Sequence, residues 1–484
     1  MRSADVVATT TGGPVRGLRR PFGRVFLGVP YAAPPVGDRR FAAPVPHERW
    51  TRVRDATRPG PTAPKPRRDA FGALDLSPFF GPGWRRGEDY LTVDVWCPGP
   101  AHDRPGGAPV MVFVHGGGFV AGAPGAALYD GTAFARDGVV LVSVTYRLGV
   151  PGFLHLPDAP DNRGMLDVLA ALRWVQENVA GLGGDPSNVT LFGQSAGAIL
   201  VGGLLADPAS RGLFRRAIVQ SGSGTAAFTP EQAALVAAAV GREVGGPPSA
   251  RSLAAVTDEA LVDVVHRLAG LDLRTPDRHD PLGGITPFSL VLAQQPADAV
   301  AAGQGRDVDL LIGSTLDEGS LYLAPLGLLA TTTDDDVRRT AARFHAHPDD
   351  VVRGLRARLP DASPARLRTV ILGDGLFGTG TRRLTAAHAA HAGDRDGATF
   401  AYRFGWRSDA LDGQLGASHT MELPFVFDRL GLPSLHGPHA LLGTSPPPQG
   451  LAAGMHRSWV RFAATGDPGW PRHEPGRPHV QEIA

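Results

Sequence analysis

The stretch VTLFGQSAGAIL, residues 189–200, constrains the fold of this chain more than any other. Val189–Phe192 reads as a short buried strand and Ala196–Leu200 as the first turn of a helix. Between them lies the pentapeptide Gly193-Gln194-Ser195-Ala196-Gly197. A strand that turns directly into a helix strains its middle residue and points that side chain away from both elements. Glycines on either side suit a turn in which backbones come too close for a Cβ. Ser195 is thereby presented at a helix N-terminus, where partial positive charge favours a developing oxyanion. The pentapeptide alone says little in a chain with 63 glycines. Its position between strand and helix makes Ser195 a candidate nucleophile.

The flanking sequence predicts the fold around that turn. Val110–Val114 and Val139–Tyr146 are continuous apolar runs, as expected of strands buried on both faces of a mainly parallel sheet. Arg216–Gln220, Asp309–Ser314 and Phe400–Phe404 read as further strands, Val25–Val29 and Leu91–Trp96 as early ones. A helix is expected over Gly164–Val179, capped by Asp161 and Asn162 and ended by Gly181, and a closing helix over Ser458–Ala464. Alternating β and α elements at this spacing predict a doubly wound α/β architecture. Residues 229–305 and 331–393 turn helical and charged and read as insertions over the C-terminal edge of the sheet, within one domain spanning 1–484. The segment 58–86, with prolines from Pro59 to Pro82, reads as a long surface loop.

Composition narrows the partners. Forty-eight basic and 47 acidic residues leave a net charge of +1, so no overall field calls for nucleic acid or an anionic membrane. The single cysteine, Cys97, rules out an intrachain disulfide. No apolar leader and no stretch long enough to cross a bilayer are present. These features suggest a cytoplasmic enzyme acting on a small molecule, as a monomer or homodimer.

A serine hydroxyl is a poor nucleophile until a base takes its proton, so the turn demands a histidine, an acid to orient it, and donors for the oxyanion. His115-Gly116-Gly117-Gly118-Phe119 follows directly on an apolar strand, and consecutive glycines let backbone N–H groups approach a ligand. In folds of this type the acid follows the serine and the histidine follows the acid. Glu318 lies just past the 309–314 strand, with Asp317 as a chemical competitor. His419, His436, His439 and His456 all lie downstream, and order alone does not choose among them. Asp334-Asp335-Asp336 after Thr333 reads as a capped helix start rather than a metal site, and His388 with His391 lacks a third ligand.

Many ordered blocks carry a resemblance that resolves the choice. They include FLGVPYAAPPVG (26–37) with Arg40-Phe41, Glu88–Leu91, HGGGF (115–119), Tyr146–Gly149, GGDP (183–186), the serine turn, Gln220–Gly222, Asp317–Gly319, and His419 ahead of ELPFVF (422–427). The chain resembles the carboxylesterase type B family, which includes bacterial para-nitrobenzyl esterases and, more distantly, cholinesterases. The resemblance implies an α/β-hydrolase fold with a helical cap, a triad of Ser195, Glu318 and His419, and oxyanion donors on the backbone of Gly117, Gly118 and Ala196. It implies ion pairs of Arg40 with Glu88 and of Arg147 with Asp167, and supporting positions for Ser221 and Gln194. The family often carries glutamate where Gln194 stands. Two of its cysteines are replaced, by Tyr90 and near Ala63, and the block from Phe288 departs from its pattern, which leaves the acyl pocket unassigned.

The implied activity is hydrolysis of neutral carboxylic esters through an acyl-enzyme, with no metal or organic cofactor. Hydrolysis of amides or carbamates would use the same groups. A non-catalytic binding protein on this fold would have no need of all of them.

Overall fold

The computed structural model describes residues 5–81, 83–102, 104–391 and 397–484. Pro82 and the last two residues of the expected 331–393 insertion lie outside the described residues. The chain opens with an antiparallel meander: β1 (Asp5–Thr9), β2 (Pro14–Arg20), β3 (Gly23–Pro30) and β4 (Thr92–Pro98). Seven parallel strands follow: β5 (Ala108–Val114), β6 (Val140–Val144), β7 (Gly184–Gln194), β8 (Arg216–Gln220), β9 (Asp309–Thr315), β10 (Thr399–Phe404) and β11 (Gln481–Ile483). Across the sheet the order is β1-β2-β3-β4-β6-β5-β7-β8-β9-β10-β11, with the two-residue strand Arg54–Asp55 beside β2. This is an α/β-hydrolase fold.

Side-chain alternation explains why both faces are covered. Along β5, Val110, Val112 and Val114 enter one hydrophobic core, while Met111 and Phe113 enter the other on the opposite face. The longer helices are α1 (Arg163–Asn178), α2 (Ala196–Leu205), α3 (Pro230–Val244), α4 (Asp258–Arg267), α5 (Asp334–Phe344), α6 (Pro348–Arg358), α7 (Pro364–Gly373), α8 (Thr379–Ala389) and α9 (Gln449–Thr465), of which α5, α6 and α7 pack on one another around a small core of their own. None of the described helices is long and apolar enough to cross a membrane. One π-helical turn, Asp374–Gly378, joins α7 to α8.

Several local expectations change. Asn162 precedes α1 but caps nothing with its side chain. Its backbone is left-handed (φ 56°), and its amide instead exchanges hydrogen bonds with Val291 N–H and C=O. The helix ends through a 3₁₀ turn (Val179–Leu182) closed by Gly183 at φ 89°, so Gly181 lies inside the turn rather than after it. The closing helix begins at Gln449, nine residues before its expected start, because Gly450 and Gly454 hide its N-terminal half from a propensity reading. The segment 58–86 is a wall rather than a surface loop. It forms a small hairpin and the short helix Ser77–Phe80, and it buries Leu74, Leu76 and Phe79 in a core. Tyr90 and Ala63, which stand where the family has cysteines, fill the other core.

Charges are settled locally. Thr333 and Asp336 form a capping box on α5, and the three aspartates pair with Arg338, Arg339 and Arg356. His388 is bonded to Thr399, and His391 to the carbonyls of Val300 and Ala301. Arg40 does not meet Glu88, which is exposed. It crosses to Asp258 and to the carbonyls of Leu253 and Val256, where a short helix end offers acceptors. Arg147 and Asp167 do pair: Nε donates to Oδ2 at 2.9 Å and Nη2 to Oδ1 at 2.7 Å, both side chains being almost wholly buried. Arg147 also donates to Ala42 C=O at 2.6 Å.

Removing one member of that pair strands the other charge in the core. Asp167→Ala is expected to lower unfolding free energy by about 3–5 kcal/mol in urea titrations, and a double replacement by apolar residues by markedly less.

Candidate active site

Ser195, the glycine run, Ser221 and Glu318 each follow the carboxyl end of a parallel strand. β7 ends at Gln194 and α2 begins at Ala196, leaving Ser195 alone between them at φ 56°, ψ −126°. A non-glycine residue held there stores about 1–3 kcal/mol of strain. Gly193 and Gly197 are required by contact. A Cβ on Gly197 would lie 2.1 Å from the Val114 carbonyl oxygen, and one on Gly193 would lie 2.7 Å from the Gly197 backbone. Phe119, Ser221 and Thr420, also around this site, are left-handed as well.

The glycine run after β5 folds back under the serine. Gly117 (φ 120°) and Gly118 (φ 62°) adopt left-handed backbone, and a Cβ on Gly117 would strike the Ala121 carbonyl at 2.2 Å. The N–H groups of Gly117, Gly118 and Ala196 donate to no protein acceptor among the described residues. His115 braces this loop. Its Nδ1 meets Gly116 C=O at 2.8 Å, its ring stacks on Tyr146, and burial pushes its pKa down to about 3, so it stays neutral.

Glu318 follows β9, and His419 lies in the long loop after β10. A parallel bridge between Asp317 and Ser418 draws the two loops together. His419 Nδ1 donates to Glu318 Oε2 at 2.5 Å. The other carboxylate oxygen accepts from Ser221 Oγ at 2.5 Å and from Thr315 N–H at 2.8 Å. Asp317, the chemical competitor, faces away into an ion-pair cluster with Arg366 and Arg407 and accepts from Ala417 N–H. His436 and His456 bond to the carbonyls of Leu430 and Val426, away from Ser195.

With its Nδ1 proton directed at Glu318, His419 keeps a lone pair on Nε2. Gln194 Nε2 donates to that nitrogen at 3.2 Å, and Ser195 Oγ makes no hydrogen bond to it here. Catalytic hydrogen bonds are often loose before substrate binds. The Phe377 ring lies flat on the imidazole, with centroids 4.2 Å apart and planes at 11°, and Tyr322 flanks it at 5.9 Å.

These groups open into a cavity of about 240 Å³ that contains Ser195, Ala196, Gly117, Gly118, Gln194 and His419. A sequence profile of the carboxylesterase family matches residues 3–481. The chain belongs to that family. This carboxylesterase is 36% identical over 491 residues to the para-nitrobenzyl esterase of Bacillus subtilis (strain 168), covering 96% of this chain and 92% of that one. It is 33% identical over 477 residues to the phenmedipham hydrolase of Pseudarthrobacter oxydans, covering 96% and 90%. The crystal structure of a Geobacillus stearothermophilus carboxylesterase at pH 6.2 superposes with a TM-score of 0.82 at 33% identity, covering 99% of this chain and 96% of that one. It is a serine carboxylic ester hydrolase.

Sequence reasoning missed most of the cavity wall. Phe71, Phe79 and Phe80 come from the segment read as a surface loop, Leu282, Thr286, Leu376 and Phe377 from the two segments read as insertions, and Tyr322 from the turn that begins at Glu318. Phe288, after which the family pattern fails, is buried in a core and does not line this cavity. Thr286 does line the cavity, and its Oγ1 donates to Gly118 C=O at 2.6 Å.

A second carboxyl lies behind the site. Glu422 is fully buried, accepts from Gln220 Nε2 at 3.3 Å, and is pushed up to about 8 by burial and by the charge of Glu318. It is therefore protonated near neutral pH. Its raised pKa means that the stability it supports is complete below the unfolded value of ~4.3 and is lost as pH rises towards about 8. Glu422→Gln removes that penalty. Denaturant titrations should show the variant's stability relative to the parent rising between pH 5 and pH 8, by up to about 4 kcal/mol at roughly 1.4 kcal/mol per pKa unit.

Proposed function

We propose that Ser195, His419 and Glu318 act as nucleophile, general base and orienting acid, with Gly117, Gly118 and Ala196 N–H groups as oxyanion donors. The observation that carries this reading is the hydrogen bond of His419 to a carboxylate whose other oxygen is doubly satisfied, in the cavity that holds the strained serine. Ser195 Oγ attacks the ester carbonyl as its proton passes to His419 Nε2. Glu318 stabilises the imidazolium, and the three N–H groups receive the oxyanion. His419 then gives its proton to the departing alcohol oxygen as the C–O bond breaks. Water, deprotonated by the same imidazole, attacks the acyl-serine and releases the acid. Ser221 holds Glu318 in place. The whole chain works as one hydrolase unit on a small-molecule ester, and the buried thiol of Cys97 suits a cytoplasmic setting.

Gln194 bears on substrate charge. A glutamate there would place a negative charge beside the reacting carbonyl, worth roughly 3 kcal/mol of attraction for a cation ~6 Å away at an effective dielectric of ~20. With glutamine there, neutral esters are favoured over cationic ones.

Ser195→Ala is expected to remove fluorophosphonate labelling and to lower turnover of para-nitrophenyl acetate by about four or more orders of magnitude, with the melting curve unchanged. Labelling of Ser221 instead would overturn the assignment. Glu318→Gln should cost far more turnover than Asp317→Asn, which should act mainly on stability. Gln194→Glu should raise kcat/KM for a choline ester relative to its uncharged isostere, most at low salt; an unchanged ratio would leave Gln194 a packing residue.

A further inference from the structure

Arg68 is the one Lys, Arg, Asp or Glu side chain among the described residues that line the reaction cavity. It comes from the 58–86 wall, two residues ahead of the hairpin that carries Phe71. Its acidic neighbour in sequence, Asp69, is already paired with Arg67. No carboxylate or carbonyl partners Arg68 among the described residues. Its side chain is crowded by cavity atoms yet open to the cavity's solvent, and this crowding lowers its pKa from the usual arginine value, with Tyr322 as the nearby electrostatic neighbour. Guanidinium groups placed for structure are normally paired, as Arg40, Arg147 and Arg163 are here. Arg68, by contrast, is exposed and unpaired at the cavity, which leaves its five donors free to meet an anion on a bound substrate.

The side of the ester that Arg68 meets follows from the chemistry. His419 protonates the departing alcohol oxygen, so the alcohol part must lie against His419. Tyr322 flanks that ring, and it packs edge-on at 6.5 Å against Phe71, three residues after Arg68 on the same wall of the cavity. We assign the acyl part to the lining that contains Gly118, Thr286 and Leu282, where Thr286 is bonded to the glycine run. We infer that Arg68 selects esters whose alcohol part carries a carboxylate, binding that anion beside Tyr322 while Ser195 attacks the uncharged ester carbonyl. The reaction is unchanged in its balance: the acyl C–O bond breaks, water supplies the acid's hydroxyl and the alcohol's proton, and a hydroxy-carboxylate leaves.

This inference rests on the ester-hydrolase reading of the cavity, and the test separates the two. Wild type, Arg68→Gln, Arg68→Lys and Arg68→Glu are assayed on para-acetoxybenzoate against para-acetoxybenzamide, which differ in charge on the alcohol part. They are also assayed on the para-nitrophenyl monoester of adipate against para-nitrophenyl heptanoate, which differ in charge on the acyl part. The benzoate-to-benzamide ratio of kcat/KM should fall about tenfold or more in Arg68→Gln, mainly through KM, and further in Arg68→Glu. Arg68→Lys should keep most of it, the wild-type ratio should shrink as salt rises, and the neutral esters should change by less than about threefold. An unchanged ratio in folded Arg68→Gln and Arg68→Glu would overturn the proposal. A shift confined to the adipate pair would overturn the placement on the alcohol side. Loss of neutral-ester turnover in a folded variant would make Arg68 part of the reacting machinery instead of a selector. A wild type inert towards the neutral esters would sink the hydrolase reading itself.

Discussion

Backbone crowding where β7 meets α2 is the constraint on which the rest of the molecule depends. The Val114 carbonyl, at the end of β5, sits where a side chain on residue 197 would have to go. Glycine there lets α2 start immediately beneath the sheet edge, and Gly193 allows the chain to arrive. The resulting strain at Ser195 survives because β7 is hydrogen-bonded on both sides, to β5 and to β8, across registers that run to its last residues. A strained turn is kept only where its surroundings over-determine it. Two parallel ladders and a helix do so here.

The same sheet solves a second problem, that of bringing together groups more than a hundred residues apart in sequence. Glu318 and His419 are separated by 101 positions. Strand pairing alone brings β9 and β10 side by side, but their loops would be free beyond it. The Asp317–Ser418 bridge, with Asp317 anchored by two arginines, carries the pairing past the end of the strands. Asp317 thus supports the arrangement from outside while Glu318 enters it. Adjacent acids take opposite parts because the chain turns between them: Asp317 holds the bridge to Ser418, and Glu318 opens the 3₁₀ turn Glu318–Tyr322.

The strands around Ser195 were legible in the sequence because continuous apolar runs mark buried parallel strands, and Ser195 because its turn needs glycines at fixed positions. Glu318 and His419 were identified only by the resemblance, since their meeting is a tertiary event that spacing does not encode. Asn162 shows the limit of capping rules: the side chain expected at the helix start was taken by a strand-like contact with Val291. The wall residues were hidden for a related reason. Prolines between 59 and 82 suggested exposure, while Phe71 and Phe79, which decide burial, follow no period in so short a hairpin and helix.

The π-helical turn at Asp374–Gly378 has a consequence for how this scaffold tolerates change in length. It amounts to one extra residue in an otherwise continuous helix, and each residue advances an α-helix by about 100°. The half before it, α7, packs on the Glu318–Tyr322 turn, while the half after it, α8, packs on Pro296–Ala301 and β9. The added residue is therefore a phase correction between two docking surfaces, and it swings Phe377 over the imidazole. A one-residue deletion there would restore ideal helical geometry and yet set one half facing the wrong way. In this segment regularity and function are incompatible, and the irregular turn is the one that fits.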